Sequence, residues 1–312
     1  MEHLATPLLN GVVYGLLLFM VSAGLTLIFG MMGILNFAHA SFYMLGAYFA
    51  YALQGIVGFW PAIAIAPLLV GGIGILVERY ILRRVHRHGH AHELLITFGL
   101  SFIIAELIKL FFGDYPVNFR VPADLDFPAF TLGGLDYPAY RLFMGIVAIL
   151  MFVVIYLLLS RTRVGIIVRS AIHRPRMAEA LGHNVPRVFM GVFGVGAAMA
   201  GLAGAVAGAF YTTSPNMALE LGVLVFVVVV IGGLGSLEGA MLASLLIGVV
   251  TSVAVGIDAT PADLLALAGI GDPAHAQGIL ALKVSSLAAS LPFALMLLVL
   301  LVRPSGLMGE KE

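Results

Sequence analysis

Apolar residues in this chain come in long blocks rather than in alternation with polar ones. Leu8–Phe29, Trp60–Val77, Leu94–Phe112, Leu142–Leu159, Val188–Tyr211 and Phe293–Val302 contain few charges. A helix needs about 20 apolar residues to cross a bilayer. The blocks and the polar punctuation between them predict spans at about 8–30, 36–53, 60–82, 94–112, 141–160, 187–211, 219–233, 238–257 and 279–302. The seventh is short for a full crossing, so eight and nine spans both fit.

Composition agrees with a lipid solvent. The chain is 61% hydrophobic and 10% charged, with a mean hydropathy of +1.09. Soluble domains carry about 25% charged residues. The expected fold is therefore an all-α, polytopic membrane bundle forming one domain over residues 1–312. Cysteine is absent, which excludes disulfides, iron–sulfur sites and thiolate zinc sites. Met1–Pro7 lacks a basic segment and is followed by a run long enough to span, so no cleavable leader is expected.

A formal net charge of zero says little, but the placement of charge predicts orientation. Arg83-Arg84-Val85-His86-Arg87 is one basic loop. Arg161, Arg163, Arg169, Arg174, Arg176 and Arg187 lie in another. Basic loops stay in the cytoplasm. Gly113–Tyr140 instead holds Asp114, Asp124, Asp126 and Asp136 against Arg120, which suits the outside. If every span crosses, the amino terminus is outside, and the carboxyl terminus, with Arg303 and Lys311, is inside.

Polar residues within the apolar blocks are the candidate chemistry. In GILNFAHASFYMLGAY (Gly33–Tyr48), Asn36, His39 and Ser41 follow Gly30 and Gly33. An unpartnered polar group in hydrocarbon costs roughly 2–7 kcal/mol. Asn36, His39 and Tyr43 share one face if the stretch is helical. The glycines make a break cheap, and broken helices in transporters place helix ends beside cargo. The pattern fits either a discontinuous helix beside a translocation path or a cytoplasmic turn at Met31–Asn36 capped by Asn36. IGGLGSLEGAMLASLLIG (Ile231–Gly248) repeats the theme, with Glu238 at the position of His39. Glu238 reads equally as a pivot or as a surface glutamate beside a tight turn.

Other features have simpler readings. Gly196, Ala200, Gly204 and Gly208 form a small-residue stripe suited to close helix packing. In Gly256–Ser286, Thr260-Pro261-Ala262-Asp263 reads as a helix start followed by Leu264, Leu265 and Leu267, a short helix at the outer surface. Glu106 and Lys109 lie near a span end, where they pair or snorkel, and Glu78-Arg79 closes a span in the same way. His86, His88, His90 and His92 alternate, but without an acidic residue before Glu93 no metal site is assigned. No phosphate-binding glycine loop occurs, so ATP, if it drives transport, binds another chain.

GIIVRSAIHRPRMAEALGHNVPRVF (Gly165–Phe189) is too long for a simple connector. Met177, Ala178, Ala180 and Leu181 would pack one side of a short helix starting near Pro175. Gly182 would end it, and Asn184-Val185-Pro186 would begin the next. A short helix bracketed by basic residues suits docking to a partner, but composition alone favours a solvated loop that sets orientation.

Four segments carry a resemblance: GILNFAHASFYMLGAY, MAEALGHNVPRV, GGLGSLEGAMLASLLIG and FALMLLVLLVRPSGLMG, in this order. Together they resemble the permeases of branched-chain amino-acid ABC importers over nearly the whole chain. The resemblance implies that Met177, Ala178, Glu179, Ala180, Leu181 and Gly182 form the coupling helix that sits in a cleft of the ATPase subunit. It aligns Asn36, Phe37, Ala38 and His39 with the family's Asn-Phe-Ala-His run. Two departures stand out: Ala40 follows His39 where the family has glycine, and the segment Gly256–Ser286 is longer than usual.

The resemblance implies a multi-pass inner-membrane subunit that carries out no covalent chemistry and holds no cofactor. A soluble binding protein would deliver leucine, isoleucine, valine or a related amino acid or amide. A second, related permease and two ATP-binding subunits would complete the assembly in the lipid bilayer, with no role for nucleic acid. Candidate path residues are Asn36, Phe37, His39, Ser41, Tyr43 and Glu238. A self-sufficient secondary transporter or channel for a small polar solute is the competing class. A proton-coupled carrier would show an acidic residue deep within a span, and none is obvious. An intramembrane enzyme would need His39 or Glu238 with a partner that the sequence does not supply.

Overall fold

The computed structural model describes residues 2–132, 135–257, 259–260, 263 and 283–309. Its helices are α1 (Glu2–Met32), α2 (His39–Val57), α3 (Phe59–Val85) and α4 (His90–Phe112). A short hairpin follows, β1 (Pro128–Leu132) and β2 (Leu135–Pro138). Then come α5 (Ala139–Arg161), α6 (Arg163–His173), α7 (Pro175–Ala180) and α8 (Val185–Gly208). The chain continues through α9 (Met217–Gly232), α10 (Leu237–Gly256) and α11 (Val284–Val302). Among the described residues, eight helices are long and apolar enough to cross a membrane. The protein is an all-α, polytopic helical bundle.

The short seventh segment is α9, 16 residues long. At about 1.5 Å per residue it covers only ~24 Å. It runs antiparallel to α2: Phe226 stacks on Phe37, and a Cβ on Gly222 would meet Ala40 at 3.3 Å. Its first turn therefore lies beside the interior of α2 rather than beside an end of it.

Lipid supplies no hydrophobic drive between helices, so the bundle is held by close backbone packing. The centre is α1, 83% of whose apolar window is buried. Gly15 lets α1 approach α10 so closely that a Cβ there would stand 2.7 Å from the Ser244 carbonyl oxygen. The stripe on α8 does the same work. Gly196 faces Gly24 of α1, and a Cβ on Gly204 would overlap the Tyr43 carbonyl of α2. By contrast, α4 and α11 leave most of their apolar surface uncovered within this chain.

Three features lie outside the helical pattern of the sequence. A π-turn, Glu78–Leu82, interrupts α3. It buries Glu78, whose carboxylate accepts from Arg83 Nη2 at 2.9 Å and Nε at 3.3 Å, while Arg79 lies over the Tyr80 ring instead. The amphipathic helix α6 precedes α7, capped by Thr162 Oγ1 accepting from Gly165 N–H at 3.3 Å. The antiparallel hairpin pairs Leu132 with Leu135 and stacks Phe130 on Tyr137. Glu106 and Lys109 pair at 2.8 Å. Thr260 and Asp263 exchange hydrogen bonds as a helix start should: Thr260 N–H and Oγ1 donate to Asp263 Oδ2 at 2.7 Å each, and Asp263 N–H donates back at 3.2 Å. The outer helix expected beyond them, and the first residues of the last span at 279–282, lie outside the described residues.

Candidate functional site

The site is built on the turn between α1 and α2. Gly33, at φ +66°, reverses the chain in a conformation that side chains rarely adopt. Asn36 Oδ1 accepts the Ala38 N–H at 3.0 Å, and the Asn36 carbonyl accepts the His39 N–H at 3.2 Å. These bonds satisfy donors that open α2. His39 is fully buried and donates from Nε2 to the Val21 carbonyl of α1 at 2.9 Å. A carbonyl only accepts, so the proton is on Nε2 and Nδ1 is left as an acceptor. Gly24 makes room for the ring: a Cβ there would lie 2.9 Å from His39 Cε1.

Phe37 turns the other way and is 48% exposed. Its N–H donates to Thr97 Oγ1 of α4 at 3.2 Å. Its ring stacks on Phe226 of α9 at 6.2 Å and meets the edge of Phe98 of α4 at 6.4 Å. Helices α2, α4 and α9 thus frame an open cleft of about 200 Å³, walled by Phe37, Phe98, Phe102 and Phe226 with Ser41 and Ser101 between them. An adjoining gap of about 30 Å³, room for a water or two, is lined by Asn36, His39, Phe37, Gly222 and Phe226. Asn36 Nδ2, His39 Nδ1 and Ser41 Oγ are buried with no partner among the described residues. An orphaned buried polar atom costs about 1–3 kcal/mol. An apolar cleft with a few unused donors and acceptors is the usual form of a small-solute site.

The candidates therefore divide. Asn36, Phe37, His39 and Ser41 converge on the two connected cavities. Tyr43 is buried on another side of α2, near Tyr14 and Tyr211. Glu238 is exposed in the first turn of α10, after Ser236, whose Oγ accepts the Gly239 N–H at 3.1 Å. The two glycine-rich stretches do meet: a Cβ on Gly30 would lie 2.8 Å from Gly235 Cα.

The second region is α7. Ala178 is its anchor, buried against Ala171 and Val185. Met177 and Leu181 are 58% and 76% exposed, and Glu179 and Ala180 are exposed beside them. The helix ends cleanly: His183 N–H donates to the Ala178 carbonyl at 3.0 Å, with Gly182 at φ +87°. Asn184 Oδ1 then caps α8 by accepting the Arg187 N–H at 3.1 Å. Arg83 ties this corner to α3, donating from Nη2 to the Pro186 carbonyl at 2.9 Å.

Several residues at these sites carried no sequence signal. Phe98, Phe102 and Phe226 are three of twenty phenylalanines, and nothing local marks them as cleft walls. Glu93 is buried at the start of α4, where it binds His86 Nδ1 and also His90 Nδ1 at 3.3 Å. The alternating histidines pointed to this corner, but only the fold shows that a carboxylate gathers two of them.

Comparison with known proteins places this geometry. Residues 8–301 match the family model described as branched-chain amino acid transport system, permease component. The high-affinity branched-chain amino acid transport system permease protein BraD of Pseudomonas aeruginosa is 27% identical over 99% of this chain and 97% of its own. The permease protein LivH of the corresponding system in Salmonella typhimurium is 27% identical over 97% of this chain and 94% of its own. LivH of Escherichia coli is 26% identical over the same shares. No solved structure shows significant similarity to the chain. With the match spanning almost the whole length, the chain belongs to the family of branched-chain amino acid transport permease components.

Proposed function

We propose that this chain, as one permease domain over residues 1–312, is the membrane-spanning subunit of an ATP-driven importer of branched-chain or related small amino acids. A binding protein delivers cargo from outside, a second, related permease pairs with this one, and two ATP-binding subunits dock below. This chain performs no covalent chemistry and holds no cofactor. The basic loops around Arg83 and α6–α7 lie in the cytoplasm of an inner membrane, with the amino terminus outside. Cargo passes the cleft at Phe37 and Ser41. Its aliphatic part meets the phenylalanine walls, and its polar part meets Ser41, Ser101 and the unused atoms of Asn36 and His39.

The observation that carries the reading is α7. A six-residue helix anchored by one buried alanine, with Met177 and Leu181 exposed on the basic side, is a poor internal element but a good plug for a partner's groove. Exposed large apolar side chains at such a place mark an interaction surface. ATP-driven closure of the partners moves α7 and switches the permease pair between outward and inward openings. Such a switch requires the two states to bind ATP or loaded binding protein unequally.

The test is a mild-detergent pull-down of the tagged chain from native membranes, with partners identified by mass spectrometry. Two ATPases and a sister permease should co-purify. They should be lost when Met177 and Leu181 are both replaced by glutamate, with Tm of the chain unchanged. Recovery of the chain alone, under conditions that preserve known complexes, would overturn the assembly and favour a self-sufficient carrier or channel.

A further inference from the structure

A second polar cluster lies away from the cleft, at the end of the bundle opposite the basic loops. Arg141 stands in the first turn of α5 and is half-buried. Its Nη1 donates to Asn10 Oδ1 of α1. The guanidinium lies over two rings, with Cζ 5.0 Å from the Phe210 centroid and 5.7 Å from that of Tyr137. Among the described residues no carboxylate pairs with it. One turn below Asn10 on the same face of α1 is Tyr14. Tyr211 sets its ring against the edge of Phe210, with centroids 5.3 Å apart. Arg141 and Asn10, with Tyr211 beside Phe210 and Tyr14 one turn along α1, thus form one polar corner.

A half-buried, unpaired guanidinium is costly in a membrane protein, and an arginine that merely snorkels would reach away toward the headgroups. Here Asn10 and two aromatic faces hold it against the bundle. The ring faces offset part of the charge, and a planar guanidinium has more donors than Asn10 can use. Its geometry matches a carboxylate. Burial holds the Tyr137 and Tyr211 hydroxyls above the usual tyrosine range against the opposing pull of Arg141, so both stay protonated at neutral pH.

We infer that Arg141, positioned by Asn10, Tyr137 and Phe210, is an entry site for the carboxylate of an amino acid, whose remaining groups lie beside Tyr211 and Tyr14. The inference rests on the importer reading above. It also bears on cargo class: a guanidinium anchor favours free amino acids over their neutral amides.

The test uses the whole complex purified from native membranes without the binding protein, whose own selectivity would mask that of the permease. The probe is a diazirine analogue of leucine, photolysed and mapped by mass spectrometry. Peptides carrying Tyr14 or Tyr211 should be labelled. Excess leucine should suppress the label and leucinamide should not. Arg141→Gln should reduce labelling at least fivefold, and Arg141→Lys should retain part of it. Equal suppression by leucinamide, undiminished labelling in R141Q, or absence of label from both tyrosines would each overturn the proposal. The competition arm needs no variant, so it decides the matter even if R141Q does not assemble. A separate failure of the wild-type complex, with binding protein, to take up any amino acid would overturn the importer reading itself.

Discussion

Ser41 and His39 are buried polar side chains two positions apart at the start of α2, and they differ in hydrogen bonding. His39 spends one nitrogen on the Val21 carbonyl, so it both joins α1 to α2 and faces the small pocket. Ser41 Oγ has no partner at all among the described residues and lines the larger cleft. Removing an unpaired buried hydroxyl leaves no orphan behind, and such changes are close to neutral for stability. Ser41→Ala should therefore leave Tm unchanged and raise the KM for cargo, measured as uptake by the reconstituted complex. His39→Ala should lower Tm as well, because it removes a hydrogen bond and opens a void, together worth about 2–4 kcal/mol. If S41A lowers Tm and leaves KM alone, the hydroxyl belongs to the fold and not to the path.

Among the elements, α8 is the one whose sequence carried the most usable information. The spacing of Gly196, Ala200, Gly204 and Gly208 already implied a packing face, because only small residues let backbones touch in lipid. The structure adds the partners: Gly204 lies on the Tyr43 carbonyl, and Gly46 of α2 lies on the Gly201 carbonyl. Gly204→Ala forces a Cβ into a main-chain oxygen, which no rotamer change relieves. It should cost ~3 kcal/mol or more and abolish the folded, extractable protein. Gly72→Ala, with nothing within 4 Å of its added Cβ, should be neutral or gain up to ~1 kcal/mol from helix propensity. Equal thermal stability of the two variants would contradict this packing. The spans were legible for the same physical reason as the stripe: bilayer thickness sets a length, and composition declares it. The cleft was not. Phe98 and Phe226 reach Phe37 from helices about 60 and 190 residues away in sequence, and their own neighbours are as apolar as any lipid-facing run. The β-hairpin was only half hidden, since Gly133-Gly134 between Phe130-Thr131-Leu132 and Leu135-Asp136-Tyr137 is a turn signal flanked by strand formers.

For the molecule as a whole, the importer proposed above requires a route from α7 to the cleft. The Pro186 carbonyl, in the first turn of α8 that follows α7, accepts from Arg83, which also clamps the buried Glu78 inside the π-turn of α3. Further along, α3 packs on α8 through Gly71 and Gly74, and α8 packs on α2 through Gly204. A displacement of α7 is thus handed to α3 by one side chain and to α2 by rigid helix contacts. Arg83→Met removes both hydrogen-bonded links and leaves the Glu78 carboxylate buried and unpaired, at a cost of roughly 2 kcal/mol or more. In Glu78→Gln with Arg83→Met, the orphaned charge is gone but the link to Pro186 stays broken. Stability should then recover in the double variant while coupling does not. The reading is Tm for the first property and, for the second, the stimulation of ATP hydrolysis by loaded binding protein in proteoliposomes. Both properties recovering together would mean that Arg83 only neutralises Glu78. Recovery of Tm with stimulation still lost would place Arg83 on the route between the ATPases and the path.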